Sequence, residues 1–410
     1  MDFLLIITAI CVLCTLFGYI NARWMKLPGV VGIMVLSIVV SVLAVFASRL
    51  FPAAAVFLSR LSGAVDFSKI LLDVMLGFML FAGALQSDVP KLRKNVRGIL
   101  WLSTLSVMIS ALAFATLLWL GLTFFDRSPP FIYCLLFGAL ISPTDAIAAS
   151  ALLKTSRVPD NLRTIIHGES LFNDGIGIVL FFIFLDLTVS ADNVLSLKGI
   201  TTLVLREIIG GMAAGLIFGY LSNQMMRRMK VFEDIVMLSL SLVLVLSVCG
   251  SMFHFSVPLA VVCAGLLIAD SSFDQRKIGG MHGSLEKIWE LLDGLLNTIL
   301  FLLLGFQMVS VSVDGLSLLG GIGVIAILLF SRMLSIAAPI RLLRDRLKLH
   351  ASSIKILTWG GLRGGISVAL ALSLPDSPYR PFIISGSFFI VVFSVVVQGL
   401  SFNRVINRWI

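Results

Sequence analysis

"GALISPTDAIAASALLK", residues 138–154, is an apolar segment interrupted by a proline and a carboxylate. Pro143 has no backbone N–H and its ring clashes with the preceding turn, so we expect a helix through this segment to break there. Asp145 follows two residues later. Inside a membrane, a broken helix is tolerated only where protein or a wet cavity covers the freed backbone groups. The segment therefore predicts an interrupted helix in the interior of a membrane protein.

The composition of the whole chain supports this class. Of its residues, 59% are hydrophobic and 13% are charged, and the mean hydropathy is +1.06. Residues 1–20 lack the basic start and small-residue cleavage site of a signal peptide, so we interpret them as part of the first span. Apolar stretches long enough to cross a bilayer recur along the chain, and they predict about thirteen transmembrane helices, near 3–20, 28–48, 69–87, 98–122, 130–153, 164–188, 199–224, 233–252, 256–270, 286–309, 315–340, 353–374 and 381–403.

The positions of Lys and Arg predict the orientation. Of the 31 basic residues, 22 fall on one set of alternate loops and at the C-terminal end, and six fall on the opposite side. Cytoplasmic loops carry the excess of positive charge. We therefore expect a plasma (inner) membrane protein with the N-terminus outside and the C-terminus in the cytoplasm. The net charge of +9 is then explained by topology and anionic lipids, and no nucleic-acid partner is needed.

A second interrupted helix is predicted late in the chain. In "TWGGLRGGISVAL", residues 358–370, four glycines surround Arg363, and glycine weakens a helix interior. One broken helix in each half of a polytopic protein indicates an inverted-repeat secondary transporter. The half-helix ends carry partial charges that Asp145 and Arg363 are suited to offset. The expected fold class is all-α, with two crossed unwound helices.

A third segment, "IIHGESLFNDGIGIVLFFIF" at residues 165–184, places polar side chains in a hydrophobic run. On a helix, Ser170, Asn173 and Asp174 fall within an arc of roughly 100°. Their oxygens, with the hydroxyl of Thr144, suit a hard cation. Burial disfavours the charged form of a carboxylate, so Asp174 is expected to hold either a cation or a proton. We expect Glu169 to form an ion pair with Arg332, and the sequence leaves open whether that pair has any role beyond stability.

Three further features have plainer interpretations. His167 lies near the predicted cytoplasmic entrance, where it can serve as a pH sensor or as an entrance or capping residue. Acidic residues at the start of the tenth span, Glu286, Glu290 and Asp293, complement a helix N-terminus or attract cations. Small residues spaced by four predict a close helix contact, namely Gly211, Gly215 and Gly219.

Four motifs together resemble one family. "GESLFND" (168–174), "ISPTDAIA" (141–148), the arginine of "LLFSRML" (328–334) and "GGLRGG" (360–365) are similar to the electroneutral sodium/proton exchangers of the cation/proton antiporter superfamily, the NhaP and NHE proteins. The resemblance implies thirteen helices with inverted repeats and unwound fifth and twelfth helices. The short polar loops between the spans predict one transmembrane unit over 1–410 without a soluble regulatory domain. The core domain would comprise about 69–190 and 315–403, and the dimerisation scaffold about 1–50 and 199–309.

The resemblance also implies roles for the motif residues. Asp174 would bind Na⁺ (or Li⁺) and H⁺ in competition, and Asn173, Ser170 and Thr144 would complete the ion- and proton-binding set. The set expected to hold Na⁺ is Asp174, Ser170 and Thr144. Glu169 would pair with Arg332, and the crossover would contain Pro143, Asp145 and Arg363. One carboxylate beside an asparagine implies electroneutral 1:1 exchange by alternating access. Several relatives carry a glutamate in the third helix where this chain has Ala82, which leaves the ion preference open.

Three other functions are alternatives to sodium/proton exchange. A K⁺/H⁺ antiporter on the same fold is the main alternative. A cation channel would need a continuous lined pore. An intramembrane hydrolase built on His167, Glu169 and Ser170 lacks the G-x-S-x-G elbow. We expect no enzyme activity and no cofactor besides the transported ions, with membrane lipids and a second copy of the chain as partners.

Overall fold

The computed structural model describes residues 2–27, 32–33, 35–40, 43, 71–125, 129–154, 156, 158–189, 197–271, 281–308, 315–342 and 351–408. These residues form helices and connecting turns and contain no β-strand. The helices are α1 (Asp2–Ile20), α2 (Leu76–Leu85, after a π-helical turn Leu71–Met75), α3 (Val89–Phe124), α4 (Phe131–Ile141), α5 (Ala146–Lys154), α6 (Asp160–Val189), α7 (Leu197–Met226), α8 (Phe232–Phe253), α9 (Val257–Ser271), α10 (Met281–Met308), α11 (Gly315–Leu342), α12 (Ala351–Trp359), α13 (Gly365–Leu372), α14 (Arg380–Phe393) and α15 (Leu400–Ile406).

The helices match the predicted spans. Each predicted span except the second contains one or two of them, and the second, 28–48, lies mostly outside the described residues. Within the described part, six helical stretches are long and apolar enough to cross a bilayer, and three shorter apolar helices accompany them. The prediction of an all-α polytopic membrane protein is therefore confirmed.

Both predicted helix breaks are present. After α4 ends, residues 143–145 are not helical, and α5 begins at Ala146. After α12 ends, residues 361–364 are not helical, and α13 begins at Gly365. The backbone N–H of Asp145 donates to the carbonyl of Leu362 at 2.8 Å, so the two unwound segments meet directly. This crossing brings residues more than 200 positions apart into one site.

Helix α3 begins nine residues earlier than the apolar stretch predicts. Asp88 caps its N-terminus by accepting a hydrogen bond from the backbone N–H of Lys91 at 3.1 Å, and Pro90 occupies the first turn. Both features favour a helix start. Charged residues that were expected in a loop, from Lys91 to Arg97, therefore form an exposed extension of the helix.

Two groups of helices surround the crossing. In one, α3 packs against α4, α6 and α11; in the other, α2 packs against α9 and α10. The predicted core domain included the third span, whereas α2, which forms that span, contacts mainly the helices expected in the scaffold. Helix α7 packs closely on α9, and a Cβ atom at Gly219 would lie only 2.8 Å from the Cα atom of Ala264 on α9. The glycine spacing therefore predicted this helix contact correctly.

Helix α10 corrects one interpretation of the sequence. Because it begins at Met281, Asp293 lies more than three turns inside it and not at its start. The Asp293 side chain is buried, and its carboxylate accepts a hydrogen bond of 3.0 Å from Asn297. Complementing a helix N-terminus therefore does not explain Asp293.

Candidate functional site

The crossing of the unwound segments is held by two buried charged residues. Arg363 donates from Nη1 to the carbonyl of Pro143 at 2.6 Å and to that of Ser142. These carbonyls follow the C-terminus of α4, where backbone acceptors lack helical partners and the dipole is negative. Arg363 itself is anchored by its backbone N–H, which donates to the hydroxyl of Ser394 at 2.8 Å. The positively charged guanidinium of Arg363 therefore stabilises the C-terminal end of α4.

Asp145 performs the complementary task at the start of α5. Its Oδ1 accepts a hydrogen bond from the backbone N–H of Ala148 at 2.9 Å, which is the geometry of a helix N-cap. A Cβ atom added to Gly364 would overlap the Asp145 carboxylate. The glycine is therefore needed there for close approach of the two segments.

Glu169 and Arg332 form a buried bidentate ion pair. Arg332 donates from Nη1 to Oε1 at 3.0 Å and from Nη2 to Oε2 at 2.9 Å, and each side chain is only 2% exposed. Paired guanidinium and carboxylate groups satisfy each other in this geometry. Gly361 lies against the guanidinium, since a Cβ there would be 2.8 Å from Arg332 Nε. The pair thereby joins α6 and α11 beside the crossing.

Asn173 connects this ion pair to the broken helix. Its Nδ2 donates to Glu169 Oε1 at 2.9 Å and to Thr144 Oγ1 at 2.7 Å. Its Oδ1 accepts from the backbone N–H of Thr144 at 3.2 Å. The Thr144 hydroxyl also lies 2.8 Å from the hydroxyl of Ser170. The amide of Asn173 therefore fixes Thr144, and its oxygen already has a protein donor.

Asp174 differs from all these residues. It is buried, yet within the described part of the chain its carboxylate accepts no hydrogen bond and forms no ion pair. It borders a cavity of about 20 Å³ together with Asp145 and Gly365. Such a volume suffices for one water molecule or one dehydrated ion. The remaining lining is apolar, and it consists of Leu76, Met79, Leu80, Gly83, Ala146, Leu171, Leu300 and Ile366.

Helix α2, which forms the third predicted span, contributes no polar group to this cavity. Ala82 is fully buried in α2, and the α2 side chains that line the cavity are aliphatic apart from the thioether of Met79. The polar side chains that line the cavity are Asp174, on α6, and Asp145, before α5, whereas Ser170, Asn173 and Thr144 are not part of its lining. No group of three or more His, Cys, Asp or Glu residues capable of holding a metal occurs among the described residues.

The sequence singled out His167 but not its partners. Its Nε2 lies 2.9 Å from the hydroxyl of Ser87, and its Nδ1 lies 2.8 Å from that of Ser150. Serines are common in membrane helices, and no local pattern in the sequence distinguishes these two. The contacts depend on how α2, α5 and α6 are placed relative to one another.

Comparisons with known proteins agree with this architecture. Residues 11–408 match the family described as "Sodium/hydrogen exchanger, transmembrane". The chain is 36% identical over 408 residues to the Na⁺/H⁺ antiporter NhaP of Pseudomonas aeruginosa, covering 98% of this chain and 96% of that protein. It is 31% identical over 320 residues to the Na⁺/H⁺ antiporter NhaH of Halobacillus aidingensis, covering 77% of this chain and 76% of that protein.

A solved structure has the same fold. The sodium proton antiporter MjNhaP1 from Methanocaldococcus jannaschii superposes with a TM-score of 0.77, covering 100% of this chain and 99% of that one, at 18% identity. The family match spans nearly the whole chain and includes both broken helices and the helix that bears Asp174. The chain therefore belongs to the sodium/hydrogen exchanger family.

Proposed function

We propose that this protein is a secondary active transporter that exchanges Na⁺ or Li⁺ for H⁺ across the membrane and has no enzyme activity. The observation that carries the proposal is the Asp174 carboxylate, which is buried beside an ion-sized cavity and has no hydrogen-bond or ion-pair partner among the described residues. A carboxylate in that setting is stable when it binds a proton or a cation. The relatives named above are described as Na⁺/H⁺ antiporters, and they give the K⁺/H⁺ alternative no support.

The proposed ion site combines the Asp174 carboxylate with the hydroxyls of Ser170 and Thr144. Oxygen ligands of this kind suit a hard monovalent cation. Asn173 serves in this proposal as the residue that positions Thr144, because its amide groups already bond to Thr144 and Glu169. Water supplies the remaining ligands, since the α2 side of the cavity is apolar.

Competition at Asp174 accounts for coupling. On the cytoplasmic side, Na⁺ displaces the proton from Asp174. The core then moves relative to the scaffold, Na⁺ leaves outside, and a proton from that side neutralises the carboxylate for the return. A bare buried charge is costly, so the empty, ionised site does not cross. One cation for one proton makes the exchange electroneutral.

Location and assembly are part of the same proposal. The proposed location is the plasma membrane, and the charge bias of the loops supports an orientation with the N-terminus outside. The helices outside the crossing, α7 to α10 with the N-terminal segment, would form the scaffold against which the core moves. Helix α2, which packs on α9 and α10, would stay with that scaffold. We propose that two copies associate through this scaffold.

The experiment uses purified protein in liposomes with an imposed proton gradient, an internal pH-sensitive dye and the membrane potential clamped to zero. Addition of Na⁺ or Li⁺ should dissipate the gradient in the wild type and not in Asp174→Asn. The matched control is Asp186→Asn, which removes an exposed carboxylate from the same helix and should leave exchange intact. Competition predicts a bell-shaped dependence of rate on pH. Exchange at the wild-type rate by Asp174→Asn would refute the assignment of Asp174 as the shared binding site. Exchange with K⁺ alone would refute Na⁺ or Li⁺ as the transported ion.

A further inference from the structure

A polar contact joins the two groups of helices close to the ion cavity. The hydroxyl of Ser87, just after α2, lies 2.9 Å from Nε2 of His167 on α6. The other ring nitrogen of His167, Nδ1, lies 2.8 Å from the hydroxyl of Ser150 on α5. Helix α2 packs mainly on α9 and α10, whereas α5 packs on α6. The first contact therefore crosses between the groups, and the second stays within one of them.

The contact between Ser87 and His167 lies next to the cavity, on the side predicted to face the cytoplasm. Gly83 and Leu171 both line the cavity, and a Cβ atom at Gly83 would lie 3.6 Å from Leu171 Cδ1. Ser87 follows Gly83 by four residues, and His167 precedes Leu171 by four residues. Both steps lead toward the side of the membrane predicted to be cytoplasmic. His167 and Asp174 are seven residues apart on α6, so they share one face, about 10 Å apart along the axis. A path from the cytoplasm to Asp174 along this face of α6 must pass the Ser87–His167 contact.

The hydrogen atoms can be assigned from the partners. The Ser87 hydroxyl donates to the carbonyl of Gly83 at 2.8 Å, and a hydroxyl has only one hydrogen to donate. His167 Nε2 must therefore carry the hydrogen and donate to Ser87. The neutral ring then accepts from Ser150 at Nδ1. Because Nε2–H is a donor in both the neutral and the protonated ring, a change in the charge of His167 does not remove the contact.

We propose that the Ser87–His167 hydrogen bond is a latch that closes the ion cavity toward the cytoplasm. The latch rests on the proposed function, because it acts only if the α6 group moves against the α2 group during exchange. Each opening toward the cytoplasm separates Gly83 from Leu171 and breaks the bond between Ser87 and His167. The bond to Ser150 moves with His167 and persists. The latch thereby sets the balance between the state closed to the cytoplasm and the state open to it.

The test compares two serine variants that each remove one hydrogen bond from the same imidazole. Ser87→Ala deletes the bond between the helix groups, and Ser150→Ala deletes the bond within one group. The apparent KM for Na⁺ is measured at each face, in right-side-out and inverted vesicles. Losing one hydrogen bond corresponds to about a fivefold change in an equilibrium, and an apparent affinity scales with the fraction of the competent state.

Ser87→Ala should lower the ratio of cytoplasmic to external KM by up to about fivefold. Ser150→Ala should leave that ratio at the wild-type value, and Ser87→Thr, which keeps a hydroxyl, should also retain it. If Ser87→Ala does not fold, His167→Phe carries the same expected shift from the other end of the bond.

The outcomes separate the latch from the function on which it rests. An unchanged ratio in an active Ser87→Ala protein would overturn the latch and leave the exchanger intact. An equal shift in Ser150→Ala would overturn it as well, since it would show a general effect of His167 placement. Absence of Na⁺/H⁺ exchange in the wild type would overturn the proposed function, and the latch with it.

Discussion

Replacing Glu169 by Gln should destabilise the protein severely. The Glu169 carboxylate accepts both Nη groups of Arg332 and the amide of Asn173, and Arg332 is buried. The variant leaves the guanidinium charge of Arg332 without a carboxylate partner. The amide hydrogens of the new glutamine would also face N–H donors. Removing one partner of a buried ion pair costs about 3–5 kcal/mol, which is a large share of the stability of a typical domain, about 5–15 kcal/mol.

The double variant Glu169→Met with Arg332→Met distinguishes this reasoning from a simple loss of contacts. Replacing both members of a buried pair by apolar residues is often close to neutral. Here the amide of Asn173 also loses one acceptor, at a cost of about 1–3 kcal/mol. The double variant should therefore be more stable than Glu169→Gln or than Arg332→Met alone.

The assay is the fraction of monodisperse protein that remains after heating in detergent, followed by size-exclusion chromatography. The expected order of apparent melting temperature is wild type, then the double variant, then the two single variants. Arg227→Met, an exposed residue just after α7, is the control and should change stability by no more than about 0.5 kcal/mol. The reasoning is refuted if a single variant melts like the wild type, or if the double variant melts below either single variant.

Two further predictions concern the crossing and the capped helix. Gly364→Ala should abolish exchange because a Cβ overlaps the Asp145 carboxylate, whereas Gly294→Ala, where a Cβ meets no atom within 4 Å, should be neutral or slightly stabilising; transport and melting of both variants check this. Asp88→Ala should cost about 1 kcal/mol through loss of the cap. Slight burial opposes ionisation of Asp88, but hydrogen bonds from Lys91 outweigh it and lower the pKa of Asp88 below 3.8. Its contribution is therefore complete above that value and lost as pH falls through the lower folded-state pKa, so the melting difference between wild type and Asp88→Ala should shrink in acid.

The sequence predicted the broken helices because their causes are local. A proline without an N–H and a cluster of glycines weaken any helix in which they occur. Helical spacing likewise placed Ser170, Asn173 and Asp174 on one face, and the glycines of α7 at a helix contact. The apolar stretch alone predicts the start of α3 too late. The earlier start is indicated by the capping residue Asp88 and by Pro90 in the first turn.

The partners of polar side chains were harder to predict. Asn173 was expected as an ion ligand, and its role remains a proposal, but its amide bonds to Thr144 and Glu169 in the structure. The choice between ligand and positioning residue depends on the orientation of one amide group. Asp293 shows the same difficulty, because its burial follows from the start of α10, which the sequence had placed later.

By itself, the sequence determined that this chain is a polytopic helical membrane protein with two interrupted helices and a few buried charges among them. These properties follow from composition, length and local backbone chemistry, which do not depend on the rest of the fold. Only the tertiary structure decided that Asp174 lies beside a small cavity without a hydrogen-bond or ion-pair partner among the described residues, and that Ser87 reaches His167 across the two helix groups. A hydrogen bond forms only within a few tenths of an ångström of its ideal distance, and no local pattern fixes the distance between segments 80 residues apart.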